Sequence, residues 1–144
     1  MIPNLKVVMK MYKQQVCLKI GKSGCYFLSL VFIAESITNK KVDIFSLYEK
    51  GLKEKWLDDD CFMENPADMM SYLLGKKCDI RHDKVGYSPK ENEYEITRYE
   101  LKETGVTYGH FVVTRNGKLI HDPFGASRTR TKGKAVSTRI IQVF

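Results

Sequence analysis

Apolar residues recur at helical spacing through most of the first half of the chain. Residues 5–12 (LKVVMKMY) are different, because they alternate loosely between apolar and polar and predict a first strand. Residues 25–37 (CYFLSLVFIAESI) are apolar on most sides and predict a largely buried helix, and residues 42–57 predict an amphipathic one. Residues 65–75 (NPADMMSYLLG) predict a third helix, since an Asn-Pro pair suits its start and a glycine its end.

The second half of the chain has the composition of β-strands. Four short segments are rich in β-branched and aromatic residues and are separated by glycine, proline, asparagine or charged turns: residues 78–85, 94–101, 109–123 and 137–144. Helices followed by antiparallel strands predict an α+β fold. We therefore expect residues 1–144 to form a single domain, with N-terminal helices packed on a C-terminal antiparallel β-sheet.

Length and composition favour a globular protein of ordinary size. The chain has 144 residues, of which 43% are hydrophobic and 28% charged. It has no apolar run long enough for a membrane span, and Lys6, Lys10 and Lys13 interrupt the segment where a signal peptide would lie. We therefore expect a cytoplasmic protein, not bound to a membrane, with its four cysteines reduced.

The net charge is +7, and the excess is concentrated near the C-terminus. Residues 115–139 contain seven Lys or Arg residues and one acid, Asp122. Such a run fits either a mobile, solvated surface or an interface for an acidic protein or a nucleic acid. The absence of interleaved aromatic residues favours the solvated surface. No cofactor or metal is expected, because the C-x3-H spacing of Cys78 and His82 has no second pair of ligands.

Cys25 is the first candidate for a reactive group. Gly21 and Gly24 are expected to interrupt any preceding helix, so that the buried helix begins at the thiol. The free N–H groups and the dipole of a helix N-terminus stabilise an anion and lower the pKa of a thiol. A small buried residue closing a loop–helix junction is an equally good interpretation of Cys25 alone.

A hairpin supplies the second and third candidates. In residues 109–123 (GHFVVTRNGKLIHDP), His110 begins one strand and Asp122 ends the next. At the open end of a hairpin, a carboxylate can hold an imidazole in the tautomer that accepts a proton from a thiol. His121 is a rival imidazole, but it should point to the other face, and we assign it a structural role.

The turn of this hairpin decides whether the pair can form. A two-residue turn at Asn116-Gly117 would set His110 and Asp122 on opposite faces, whereas a three-residue loop closed by Gly117 would set them directly opposite each other. The sequence permits both registers, and the chemistry favours the second. In that register His110 and Asp122 lie on the face turned towards the Cys25 helix.

The order of these motifs resembles that of papain-like cysteine peptidases, in particular the bacterial branch of bacteriocin-leader peptidases and their stand-alone relatives. The matching segments are YKQQ, SGCYFLSL and GHFVVTRNGKLIHDP. The resemblance implies a papain-like fold with Cys25 as nucleophile, His110 as general base and acid, and Asp122 as orienting group. It also implies a glutamine in the oxyanion hole, for which Gln15 is the first choice and Gln14 the alternative.

Two classes of function follow from these predictions. The first is thiol-dependent acyl transfer, above all hydrolysis of a peptide or isopeptide bond in a peptide or protein substrate, with deamidation and acyl transfer as related outcomes. The second is a small binding or inhibitor protein of phage or mobile-element type, which would act through its basic surface and keep the triad as a relic. A monomer is expected in both cases.

Overall fold

The computed structural model describes residues 4–144 and has the α+β layout expected from the sequence. Four helices precede a five-stranded sheet in the described residues, and a short helix interrupts the strand region. The elements are α1 (Leu5–Ser23), α2 (Cys25–Thr38), α3 (Ile44–Glu54), α4 (Pro66–Leu74), β1 (Cys78–Asp83), β2 (Glu93–Glu103), β3 (Val106–Arg115), β4 (Lys118–His121), α5 (Arg128–Lys132) and β5 (Lys134–Val143). Every pairing in the sheet is antiparallel, and the strand order is β1-β5-β2-β3-β4.

The hydrophobic core lies between α2 and one face of the sheet. Phe27 and Leu30 of α2 are fully buried, and they belong to the same cluster as Ile96 of β2, Val113 of β3 and Ile141 of β5. These strand residues lie on one face because side chains alternate along a strand. The largely apolar sequence of α2 is thereby explained, since the helix is buried between the sheet and its neighbouring helices.

The opposite face of the sheet is more polar and is held by a buried hydrogen-bond network. The hydroxyl of Thr114 donates to Glu95 Oε2 at 2.5 Å and lies 2.7 Å from the hydroxyl of Thr97. The N–H of Gly117 donates to the same carboxylate oxygen at 3.1 Å. Glu95 therefore fixes the β3–β4 turn against β2, which matters for the register of the hairpin.

The strand expected at residues 5–12 is wrong, because this segment is the first part of α1. Its Lys, Met and Leu residues are good helix formers, and Asn4 caps the helix by accepting from the N–H of Lys6 at 2.8 Å. Only Val16 and Ile20 of α1 are buried, and their i,i+4 spacing is that of one helical face. The loose alternation of apolar and polar residues in this exposed segment therefore did not indicate a strand.

The break between α1 and α2 occurs at one glycine and not at two. Gly21 lies within α1, which ends only at Ser23, and the axes of α1 and α2 meet at 93° around Gly24. No single helix in residues 4–144 is long and apolar enough to cross a membrane; α1 and α2 reach that length and composition only as this bent pair. The bend places Cys25 at the first position of α2, as the sequence predicted.

The hairpin register also differs from the one that the chemistry favoured. Arg115 pairs with Lys118, so the turn has two residues, and both of them have positive φ (53° at Asn116 and 78° at Gly117). Asn-Gly is the sequence most typical of this turn. Thr114 then pairs with Leu119, but a β-bulge follows, and Val113 pairs with His121. The prediction of Thr114 opposite Lys118 is therefore wrong, while the positive φ of Gly117 is confirmed.

Candidate active site

Backbone geometry at Gly24 fixes where Cys25 sits. The N–H of Gly24 donates to the carbonyl of Ile20 at 2.8 Å and closes α1. A Cβ at Gly24 would lie 2.4 Å from that same carbonyl oxygen, so no side chain fits without a backbone shift. The next residue, Cys25, starts α2 and is only 8% exposed. A glycine at this corner is thus required for the thiol to lie at the helix N-terminus.

The start of α2 is bound to the exposed backbone edge of β3. Because β4 pairs only with residues 113–115, the earlier part of β3 has no strand on that side. The N–H of Phe111 lies close enough to the Cys25 sulfur to act on its pKa, and the hydroxyl of Ser29 donates to the Phe111 carbonyl at 3.5 Å. The ring of Tyr26 stacks on the Phe111 ring with centroids 4.6 Å apart. Cys25 is therefore anchored beside the residue that follows His110.

Burial raises the pKa of the Cys25 thiol above its ordinary value, and the nearby Asp122 carboxylate raises it further. The N–H groups of Phe111, Tyr26 and Cys25 itself act in the opposite direction but do not outweigh the burial. The expectation that the helix N-terminus lowers the pKa of the Cys25 thiol is therefore wrong, because the net shift is upward. The N–H groups are in place, but they stabilise the thiolate by less than desolvation destabilises it. The resting group is therefore a thiol.

His110 and Asp122 form a buried pair. Nε2 of His110 lies 2.8 Å from Oδ1 of Asp122, and the two residues are 2% and 6% exposed. The ring of Phe124 covers the imidazole, with centroids 5.0 Å apart. The pair forms in spite of the two-residue turn, because the bulge adds one residue to β4 and brings Asp122 back to the face of β3 that carries His110.

That face of β3 is not the one expected. Phe111 and Val113 face the helices, so His110 and Val112 point to the opposite side of the sheet. The expectation that His110 faces the Cys25 helix is therefore wrong, because His110 projects from the other face of the sheet. Cys25 lies near the Phe111 N–H and lines a cavity whose lining residues include neither His110 nor Asp122.

Asp122 also organises the loop that follows it. Its Oδ1 accepts from the N–H of Phe124 at 3.0 Å, and its Oδ2 accepts from the N–H of Ser127 at 3.2 Å. Arg130 Nε lies 3.7 Å from Oδ2 and is buried without a hydrogen-bond partner. The carboxylate thus holds the imidazole, the loop and a cation together.

The basic C-terminal region is folded rather than a uniformly exposed tail. Residues Arg128–Lys132 form α5, in which Arg128 makes an ion pair with Glu103 and Arg130 turns inward to Asp122. The expectation of a solvated surface is confirmed for Arg128, whose side chain is 64% exposed, and wrong for Arg130, whose Nε is buried against Asp122. No residue of α5 is buried, and its ion pairs with Glu103 and Asp122 are not visible as apolar periodicity in the sequence.

A cavity of about 800 Å³ opens beside Cys25. The sheet lines one side of it, the loop between α3 and α4 lines another, and the end of α1 lines a third. The lining residues are Lys22, Ser23, Cys25, Tyr26, Cys61, Phe62, Met63, Glu64, Asn65, Pro66, Ala67, Asp68, Ile80, His82, Arg98, Thr107, Tyr108, Gly109, Phe111, Phe124 and Arg139. Cys25 therefore lies in the wall of this cavity.

The remaining candidates lie elsewhere. Gln15 and Gln14 are exposed in the middle of α1 and are not among the residues that line the cavity, so the structure does not bring either to Cys25. The ring of His121 stacks on Phe32 at 4.2 Å, in accord with a structural role. Cys61 lines the cavity too, but burial raises its pKa to about 12 and leaves it a poor nucleophile.

Sequence reasoning missed three residues of the site: Ser29, Phe124 and Arg130. Ser29 is the one polar hydroxyl residue without an aromatic ring in the apolar stretch 26–34, which is a usable signal in the sequence. In the structure it is fully buried. Phe124 directly follows the Asp-Pro pair. Arg130 had no signal, because nothing in a run of basic residues shows which member turns inward.

Together these elements define an α+β protein with a cysteine at a helix N-terminus and a buried histidine–aspartate pair on the adjoining hairpin. The chain belongs to the family described as "Protein of unknown function, DUF261", whose model matches residues 8–143. No curated protein and no solved structure matches the chain.

Proposed function

We propose that this protein is a papain-like cysteine peptidase that performs thiol-dependent acyl transfer, above all hydrolysis of a peptide or isopeptide bond. The observation that carries the proposal is the buried contact of His110 Nε2 with Asp122 Oδ1 at 2.8 Å, with the Cys25 sulfur near the backbone N–H of the residue that follows His110. Asp122 is the kind of partner that orients a catalytic imidazole.

The assigned contact fixes the roles of the two ring nitrogens. Nε2 carries the proton that is shared with Asp122, so Nδ1 is the nitrogen free to accept a proton. In the proposed reaction Nδ1 takes the proton of the Cys25 thiol, and the sulfur attacks the substrate carbonyl. The imidazolium then protonates the leaving amine, and a water molecule, deprotonated by the same nitrogen, releases the acyl group and restores the thiol.

The raised pKa of Cys25 makes this proton transfer part of the reaction. A resting thiol cannot attack until His110 accepts its proton, so the reaction depends on the imidazole at its first step. The N–H of Cys25, at the start of α2, is a donor for the developing oxyanion. Gln15 lies outside the cavity, so the second donor is to be sought among its lining groups, such as the Ser23 hydroxyl.

The test is site-resolved labelling with a peptide-based electrophile, such as a peptidyl epoxide, followed by peptide mapping. We expect Cys25 to be labelled faster than Cys17, although Cys17 is exposed and Cys25 is buried. His110→Gln should abolish this preference while leaving the labelling of Cys17 unchanged. A lysate treated with the active protein and with Cys25→Ala, compared by mass spectrometry, would then reveal cleaved or deamidated products.

The burial of Cys25 supports a second candidate function, a binding protein that retains the triad as a relic. A thiol that is 8% exposed with a raised pKa is also what an inactive site would contain. In that case Cys25 would be labelled no faster than Cys17, and His110→Gln would change nothing. Either result decides between an enzyme and a binding protein.

A further inference from the structure

The sheet side of the cavity presents a cationic, aromatic surface. Arg98 of β2 pairs across the sheet with Phe111 of β3, and Arg139 of β5 pairs with His82 of β1. All four line the cavity that contains Cys25. Since α2 covers the neighbouring part of this face, these residues form the part of the sheet that remains accessible.

Arg139 is bound tightly but without a counter-ion. Its guanidinium lies 5.3 Å from the centre of the Phe111 ring, and its Nη1 donates to the Ser137 hydroxyl at 2.9 Å and to the Thr138 carbonyl at 3.3 Å. These bonds use one nitrogen and leave the rest of the guanidinium fork for a ligand. Its charge is permanent under physiological conditions.

The other charges around the cavity do not neutralise Arg139. Across residues 4–144 no carboxylate lies within ion-pair distance of it, whereas Arg98 is paired with Glu100. The acids that line the cavity, Glu64 and Asp68, belong to the loop before α4 and to α4 itself, and neither makes an ion pair with Arg139. Arg139 is therefore the arginine of this cavity whose charge is uncompensated.

Phe111 connects this cation to the thiol. It lines the same cavity as Cys25, its backbone N–H lies near the Cys25 sulfur, and its ring lies beneath Arg139. A group bound to Arg139 therefore lies in the same cavity as the Cys25 sulfur. We propose that Arg139 binds a carboxylate of the substrate close to the scissile bond, either on an acidic side chain or at a peptide C-terminus.

This inference rests on the proposed function for its meaning, but the carboxylate site can be tested without any turnover. Iodoacetate and iodoacetamide alkylate thiols by the same displacement of iodide and differ by one carboxylate. We expect Arg139 to favour iodoacetate at Cys25. Arg139→Gln should lower the ratio of the iodoacetate rate to the iodoacetamide rate on the order of tenfold, the effect of losing one charged hydrogen bond.

Controls separate Arg139 from net charge and from packing. Lys53→Gln removes one positive charge from the exposed surface of α3 and should leave the ratio unchanged. Arg139→Lys keeps the positive charge but loses the paired N–H donors of the guanidinium, and it should retain part of the preference for iodoacetate. An Arg139→Gln ratio equal to that of Lys53→Gln would overturn the proposal.

A binding measurement decides the case in which Cys25 reacts with neither reagent. N-acetylglutamic acid α-amide carries only the side-chain carboxylate, N-acetylglutamine carries only the α-carboxylate, and N-acetylglutamine amide carries neither. We expect one of the two acids to raise the Tm of the wild type, the neutral amide not to, and Arg139→Gln to lose the rise. Equal effects of all three, or a rise that persists in Arg139→Gln, would overturn the carboxylate site.

The two proposals fail in different ways. Carboxylate binding at Arg139 without labelling of Cys25 by a peptide electrophile would reject the peptidase and keep the anion site. Labelling of Cys25 with no preference for acidic over neutral peptides would keep the peptidase and reject the role of Arg139.

Discussion

Two glycines three residues apart in the sequence should respond in opposite ways to the same substitution. Gly21 lies inside α1, and a Cβ there would meet no atom within 4 Å. A Cβ at Gly24 would lie 2.4 Å from the Ile20 carbonyl oxygen and 3.0 Å from the Ile20 Cα. Both obstacles at Gly24 are backbone atoms, so a side-chain rotation cannot relieve the contact.

The magnitudes follow from these surroundings. Gly21→Ala removes the entropic cost of a glycine in a helix and should stabilise the protein by about 0.5–1 kcal/mol. Gly24→Ala forces the α1–α2 corner to open, and overpacking of this kind costs about 1–3 kcal/mol. The free energies of unfolding of the two variants should therefore differ by about 1.5–4 kcal/mol.

The assay is urea unfolding of both variants beside the wild type, with labelling of Cys25 as a second measurement. Gly24→Ala should also reduce the labelling of Cys25, since the sulfur moves with the start of α2. Gly21→Ala should leave it unchanged. Equal stabilities of the two alanine variants would refute the argument, because they would show that the corner does not depend on the absent side chain at Gly24.

Two further predictions concern the sheet. Burial raises the pKa of Glu93, but hydrogen bonds from the Tyr87 hydroxyl and the Lys90 N–H, together with the Arg81 guanidinium, lower it to about 2. The stabilisation by ionised Glu93 is therefore complete above about pH 4.5 and is lost as the pH falls towards 2, and urea midpoints measured across this range should fall less in Glu93→Gln than in the wild type. Gly117→Val places a β-branched residue at a φ of 78° and should cost about 1–2 kcal/mol in urea unfolding; a variant as stable as the wild type would contradict the assigned turn.

The general layout could be predicted from the sequence because long-range packing and local pattern agree there. α2 follows from its apolar residues, and α4 follows from its Asn-Pro start and from Gly75, which has a φ of 65°. The strand predicted at residues 5–12 is wrong, because the local pattern and the long-range packing disagree there. Only Val16 and Ile20 of α1 are buried, so its other apolar residues do not mark a buried face.

The hairpin shows what a local pattern cannot contain. Asn116-Gly117 correctly indicates a two-residue turn, and the chemistry correctly requires His110 and Asp122 on one face. The two requirements conflict only if β4 is regular. A bulge in β4 reconciles them, but both faces of the hairpin carry apolar residues, so no alternation in the sequence reveals it.

Asp122 explains why the candidate site and the fold are difficult to separate at this position. Each of its oxygens accepts one backbone N–H, from Phe124 and from Ser127, while Oδ1 also binds His110 and Oδ2 faces Arg130. An asparagine would present an NH2 group to one of these two sets of donors. Only an ionised carboxylate accepts from both sides. The residue that orients the imidazole is therefore also the one that begins the loop towards α5, and an aspartate is required for both reasons.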